Sequence, residues 1–358
     1  MADTDTSRKI RGRLPRIPWE VDEHWEAVFR DVSGETNPSD SISKGKEILF
    51  LTRNRGAFIK SCPGTREYTC CGYKILHIGA FCTMDCSYCI LQAYFHPPVL
   101  QYFLNQEQMV LELEDMFASP GIHRVGTGDF TDSMIWETLT DIAQLLVPKF
   151  AAQKRAVLEL KTKTTAIGAL KHLDHNQKTI AAWSLNTPHV IGREERGTAS
   201  LEARFEAAAK CESWGYPLAF HFDPMVIYDG CEAEYEAVIE ELFSRVRPES
   251  VVWVSLGTFR FMPDLKPIVK NRFPESKIVY GEFIKGLDGK MRYYKPLRIA
   301  LYRRVIKCIR DIAPDVTVYL CMEDDEVWKK SFGFLPLERG GLEKMLDRAA
   351  VHHCRLSP

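Results

Sequence analysis

Three cysteines stand in the run Cys82-Thr-Met-Asp-Cys86-Ser-Tyr-Cys89, separated by three and then two residues. A loop this compact can wrap three thiolates onto three corners of one 4Fe–4S cubane, leaving the fourth iron open to bind a substrate or cofactor. A structural zinc ion is the chief competitor, but zinc asks for four ligands. The fourth would come from Cys70, Cys71 or His77. Three unligated core cysteines fit poorly with so polar a loop. The spacing therefore predicts an iron–sulfur cluster, with a non-enzymatic, zinc-stabilised binding module as the alternative.

The chain has eleven cysteines in 358 residues. In a reducing compartment that count points to metal or redox chemistry before disulfides. Cys62, Cys70 and Cys71 could serve a second metal or redox site, yet adjacent cysteines do not readily share one metal. They read as buried or surface thiols. Cys211, Cys231, Cys308, Cys321 and Cys354 are scattered through regular-looking segments and read as small buried hydrophobes. A net charge of -1 confines any nucleic-acid affinity to a local patch. The N-terminus mixes charges with prolines and lacks an apolar core, and no run is long and apolar enough to span a bilayer. The expectation is a cytoplasmic protein with no membrane association.

The elements that must position these residues alternate from residue 73 onward. Strand patterns cover 73–78, 123–125, 156–160, 179–185, 217–222 and 251–256. Helix patterns cover 107–118, 135–150, 167–173, 201–214 and 232–246. Six strands with five helices between them predict a parallel α/β fold, a partial (β/α)6 TIM-like barrel or a doubly wound sheet, with the chemistry on loops after the strand C-termini. Residues 1–72 read as an irregular N-terminal extension with one short helix near 20–32, and 73–274 as the core. Residues 275–358 read as a C-terminal extension with a hairpin, a basic amphipathic helix over 297–312 and a strand over 316–321.

The CxxxCxxC loop after a first strand, with Tyr88 before the last cysteine, resembles the radical S-adenosylmethionine (SAM) superfamily. The run CSYCILQAYF at 86–95 is similar to the spore photoproduct lyase family within it. Thr162-Lys163, Ser184-Leu-Asn186, Gly215-Tyr216-Pro217-Leu218 and Arg260-Phe261 resemble that family's segments, in the same order. The resemblance implies a partial barrel and a cluster held by Cys82, Cys86 and Cys89. It also implies reductive cleavage of SAM to a 5′-deoxyadenosyl radical that abstracts hydrogen from a substrate. By residue match, Lys163 would meet the SAM carboxylate, and Ser184 and Asn186 its ribose or methionine portion. Gly126, Thr127, Gly128 and Asp129 would cradle its amino group. A flavodoxin- or ferredoxin-like protein would supply the electron.

Two positions depart from the family. Its hydrogen relay uses a cysteine where this chain has Gly126-Thr127 and a tyrosine where it has Ile90, although Tyr88 is kept. Asp223, in HFDP at 221–224, stands where the family is apolar and could bind a substrate hydroxyl or amine. Tyr88 and Asp223 are thus the catalytic candidates. From Lys285 to Arg304 seven Lys/Arg, one Asp and three Tyr could contact a nucleic acid, or simply form a solvated helix face. Arg8, Lys9, Arg11, Arg13 and Arg16 add a second basic group. A small-molecule or peptide substrate is the alternative to a nucleic-acid lesion.

Overall fold

The computed structural model describes residues 4–21, 26–34, 38–64 and 67–357. Seven strands of its main sheet run parallel: β1 (Lys74–Leu76), β2 (His123–Gly126), β3 (Ala156–Thr162), β4 (Thr179–Ser184), β5 (Leu218–Met225), β6 (Val251–Thr258) and β7 (Thr317–Leu320). They lie side by side in chain order, and Ile59–Ser61 adds an antiparallel edge next to β1. The sheet curls into an open half-barrel. Its outer helices include α1 (Gln106–Ala118), α2 (Ile142–Ala151), α3 (Leu201–Ser213) and α4 (Cys231–Arg245); α5 (Leu265–Arg272) and α6 (Lys295–Ile312) follow β6.

The strands form where continuous apolar, β-branched runs predict them. All eight residues of β6 are buried, as a parallel strand covered on both faces requires. Each fully buried Val or Leu of such a strand contributes roughly 1.5–3 kcal/mol. The strand expected over 316–321 joins this sheet as β7, beside β6.

Three features differ from the sequence reading. The helix expected over 135–150 is broken at Asp141, whose φ of 57° is left-handed. Its carboxylate takes Lys9 at 2.5 Å and Arg13 at 2.6 Å from the helix Asp5–Arg13, so the N-terminal basic group is partly neutralised and docked. The stretch before residue 73 also carries more regular structure than its composition suggests, with helices Asp5–Arg13, Glu26–Ser33 and Pro38–Lys46 and strands Leu49–Thr52 and Ile59–Ser61. Part of the helix expected near 20–32 lies outside the described residues. Finally, Cys211, Cys231 and Cys354 are buried core thiols as expected, whereas Cys308 and Cys321 are only half-buried. No helix among the described residues is long and apolar enough to cross a membrane.

The concave face is unusually polar for an α/β core. Glu159 of β3 bonds His221 of β5 across the intervening β4, which only side chains on the inside of a curled sheet can do. Gly126 ends β2 directly over this face. A Cβ there would fall 1.6 Å from the Tyr73 hydroxyl and 3.1 Å from the Glu159 carbonyl. Gly126→Ala should therefore lower unfolding stability by about 1–3 kcal/mol through overpacking. Adding Tyr73→Phe should recover part of that loss in a urea-denaturation double-mutant cycle. Additive losses would show that the two positions do not touch.

Candidate active site

The cysteine loop follows β1 and is gripped through its backbone. The amides of Asp85 and Ser87 donate to the carbonyls of Arg196 and Glu194, each at 2.9 Å. The Gln92 amide donates to the carbonyls of Cys86 at 3.1 Å and Ser87 at 3.2 Å. Arg272 of α5 holds the same loop from outside, bonding both Asp85 oxygens at 2.9 and 3.0 Å and the Gln92 amide oxygen. Lys46 adds bonds to Asp85 at 2.5 Å and to the Met84 carbonyl at 2.6 Å. With its backbone so fixed, the loop's three thiols are outside any disulfide, and the Cys82 sulfur accepts only from the Met84 amide at 3.4 Å.

A second set of contacts ties the loop to β4. The Tyr88 hydroxyl donates to Glu195, and Glu195 takes Arg204 of α3 at 2.5 Å, with both side chains of that ion pair wholly excluded from solvent. Arg204 also donates to the carbonyls of Ser184 at 2.9 Å and Ala199 at 3.0 Å and to Thr198 at 2.9 Å. Next to it, Glu194 accepts from Ser87 and from Ser276 at 2.6 Å. Tyr88, a catalytic candidate by sequence, is thus engaged as a structural link. Burial and the neighbouring Glu195 hold its phenol well above its usual pKa.

Lys163, just past β3, faces the loop. Its ammonium lies 5.8 Å over the Tyr88 ring and makes no ion pair among the described residues. Burial pushes the Cys86 thiol up to about 12 and raises Cys82 and Cys89, while Lys163 pulls Cys86 and Cys89 the other way. A metal held by these thiols would have to displace their protons. An unpaired ammonium beside three free thiols suits a cofactor carrying a carboxylate.

The remaining sequence candidates fall into two groups. Asp129 lines the concave face, pairing with Lys161 at 3.2 Å, and its other oxygen is buried without a partner. Burial alone would lower the Lys161 ammonium, but Asp129 and Glu159 carry it above its usual value. Thr127 donates to Ser133 at 2.8 Å, and a Cβ on Gly128 would stand 2.9 Å from the Lys161 carbonyl. Ser184 is nearly buried at the end of β4. Asn186 bonds the Pro224 carbonyl at 2.8 Å and accepts from Tyr235 at 2.8 Å and the Thr187 amide at 3.0 Å, tying the loops after β4 and β5 together. Asp223 is clamped by Arg260 through two bonds of 3.1 and 3.0 Å.

Sequence reasoning missed Asp132, Glu195 and Arg204. The buried Asp132 carboxylate accepts from the amides of Met134 and Lys163, each at 2.9 Å, and from Thr162 at 2.8 Å, setting where Lys163 emerges. The zinc alternative gains nothing here. His77 is packed edge-on against Phe103 and Phe130 and bonded at Nδ1 to Lys60 at 3.0 Å, and burial drops its pKa to about 3. Among the described residues no three His, Cys, Asp or Glu side chains gather closely enough for a single metal ion.

The basic run of 285–304 is largely neutralised. Arg292 is buried against Asp288 and stacks 4.1 Å over Tyr68; Arg298 is buried against Glu323. Lys295 meets Asp324 at 3.0 Å and Glu326 at 2.7 Å, and Arg304 meets Glu236 at 2.7 Å. Most of these charges are therefore structural.

An open parallel α/β barrel, with three free thiols on the loop after its first strand and an unpaired lysine facing them, has the form of a radical SAM site. The sequence profile of the family described as SPL, spore photoproduct lyase, matches residues 28–298. The spore photoproduct lyase of Bacillus subtilis (strain 168) is 28% identical over 273 residues, spanning 74% of this chain and 75% of that protein. That of Geobacillus sp. (strain Y412MC61) is 27% identical over 271 residues, spanning 74% and 75%. Two solved structures are similar in fold. A cysteine-to-alanine mutant of spore photoproduct lyase with dinucleoside spore photoproduct gives a TM-score of 0.72 at 21% identity, over 80% of this chain and 86% of that one. A double mutant with bound AdoMet and dinucleoside spore photoproduct gives 0.73 at 19% identity, over 88% and 95%. The chain belongs to the spore photoproduct lyase family. It is a radical SAM enzyme, and its cofactors are a 4Fe–4S cluster and SAM.

Because Arg204 compensates a wholly buried carboxylate, Arg204→Ala should cost about 3–5 kcal/mol of unfolding stability. Tyr88→Phe, which removes one neutral donor, should cost about 1–2 kcal/mol. Urea midpoints at unchanged m-value measure both. Equal losses would contradict the ranking.

Proposed function

We propose that this enzyme acts on a lesion in a nucleic acid, and that it grips its substrate through the surface of α5 rather than through the basic run at 285–304. The observation that carries this reading is a group of three exposed lysines around one exposed ring. Lys266, Lys270 and Lys277 lie 5.9, 5.2 and 5.7 Å from the centre of the Tyr280 ring, and none has an ion pair among the described residues. Such cations are available to phosphates, and the ring to a base. They sit on and beside the helix whose Arg272 clamps the cysteine loop, so a strand held there lies close to the reacting centre. The adjoining hairpin exposes Ile284 and Leu287, apolar side chains of the kind that wedge between bases.

With both cofactors bound, the chemistry available is reductive cleavage of SAM and abstraction of a hydrogen atom from the substrate. Cys82, Cys86 and Cys89 would hold the cluster, the Lys163 ammonium the SAM carboxylate, and the unpartnered oxygen of Asp129 its ammonium. Ser184 would bond its ribose or methionine portion, with Asn186 fixing the loop that carries them. Thr127 is bonded to Ser133 and Ile90 has no transferable hydrogen of the thiol or phenol kind. The relatives' relay therefore has no counterpart at these positions, which favours an outcome after hydrogen abstraction different from theirs.

Replacing Lys266, Lys270 and Lys277 with Gln should weaken binding to single-stranded and nicked DNA and reduce the slope of log affinity against log salt by about 2–3. Lys295→Gln should leave the slope unchanged. Dinucleoside spore photoproduct should stimulate SAM cleavage by the wild type. An unchanged slope in the triple variant, together with no stimulation, would favour a small-molecule or peptide substrate.

A further inference from the structure

Four thiols outside the cysteine loop meet around one cavity. Cys62 lies just past the edge strand Ile59–Ser61, Cys70 and Cys71 just ahead of β1, and Cys321 directly after β7. The edge strand and β7 are the two opposite ends of the main sheet. Their cysteines face one another only because the sheet curls, so the cavity sits where the half-barrel would have to close. None of the four is in a disulfide.

Hydrogen-bond donors reach two of the sulfurs. A Cβ on Gly64 would stand 3.0 Å from the Cys70 sulfur, tighter than an ordinary contact, so the glycine leaves that thiol room. The Gly72 amide points at the same sulfur from 3.5 Å. Arg260 donates to the Cys321 sulfur at 3.4 Å while also holding Asp223. The buried Arg124 bonds the Cys71 carbonyl at 2.5 Å. Cysteines serving as core filler have no need of such company: Cys211 and Cys354 are packed among apolar side chains. The four sulfurs are not gathered on a point as a single ion would need. The same is true of Cys82, Cys86 and Cys89, because a cubane takes each sulfur at a separate corner.

We propose that Cys62, Cys71 and Cys321, with Cys70 as the fourth thiolate, hold a second iron–sulfur cluster that bridges the two edges of the half-barrel. The site owes nothing to the choice of substrate. The test is anaerobic reconstitution of the full chain with ferrous iron and sulfide, followed by iron, sulfide and zinc counts and by electron paramagnetic resonance of the reduced protein. The wild type should hold about eight iron and eight sulfide, as two cubanes require. Cys82→Ala/Cys86→Ala/Cys89→Ala should keep about four of each, with a reduced-cluster signal that SAM does not alter. Cys62→Ser/Cys71→Ser/Cys321→Ser should lose those four and keep the SAM-responsive signal, which also reports that it has folded. About four iron in the wild type and none in the first variant would overturn the proposal, as would one zinc in place of the second cluster. If the wild type instead held only about four iron and the first variant kept all of them, the second site would stand and the cysteine-loop assignment would fall.

Discussion

The site depends on one guanidinium placed where no water reaches it. Arg204 and Glu195 are both wholly buried, and such a pair is tolerable only when geometry and additional bonds offset the loss of hydration. Here the guanidinium also reaches the carbonyls of Ser184 and Ala199 and the Thr198 hydroxyl. Each of these bonds fixes a different segment: the end of β4, the turn into α3 and, through Glu195 and Tyr88, the cysteine loop. The thiols are thereby referenced to the strand end where Ser184 stands. The neighbouring Glu194 repeats the arrangement with Ser87 and Ser276.

The inside of the half-barrel follows the same rule of compensation. Glu159 with His221, Lys161 with Asp129 and Asp223 with Arg260 place polar and charged groups on the concave face, and each finds its partner on another strand or loop. Glu159 stays below its usual pKa although burial opposes this, because His221 faces it. Such a face can be polar without being unstable. It also leaves Lys163, just past β3, as an ammonium that makes no ion pair among the described residues.

The strands and the cysteine loop were legible because their signals are local. A continuous β-branched run such as 251–256 can only be buried on both sides, and three thiols within eight residues restrict what they can hold. What was illegible depends on closure of the chain. Arg204 reads as an ordinary helix charge until Glu195 folds beneath it. Lys295, Arg298 and Arg304 look like a free basic face until Asp324, Glu326, Glu323 and Glu236 arrive from elsewhere in the chain. Cys321 reads as core filler until the curl of the sheet carries it to Cys62 and Cys71. Asp141 breaks an otherwise regular helix pattern and meets Lys9 and Arg13 from the far N-terminus.

The proposed assignment is that Cys82, Cys86 and Cys89 hold the cluster at which SAM is cleaved. Its most direct test is the yield of 5′-deoxyadenosine from SAM under dithionite in the anaerobically reconstituted protein, compared with Cys86→Ala prepared identically. The account predicts turnover in the wild type and none above background in the variant, whose fold should be intact by circular dichroism. Equal yields from both would contradict it.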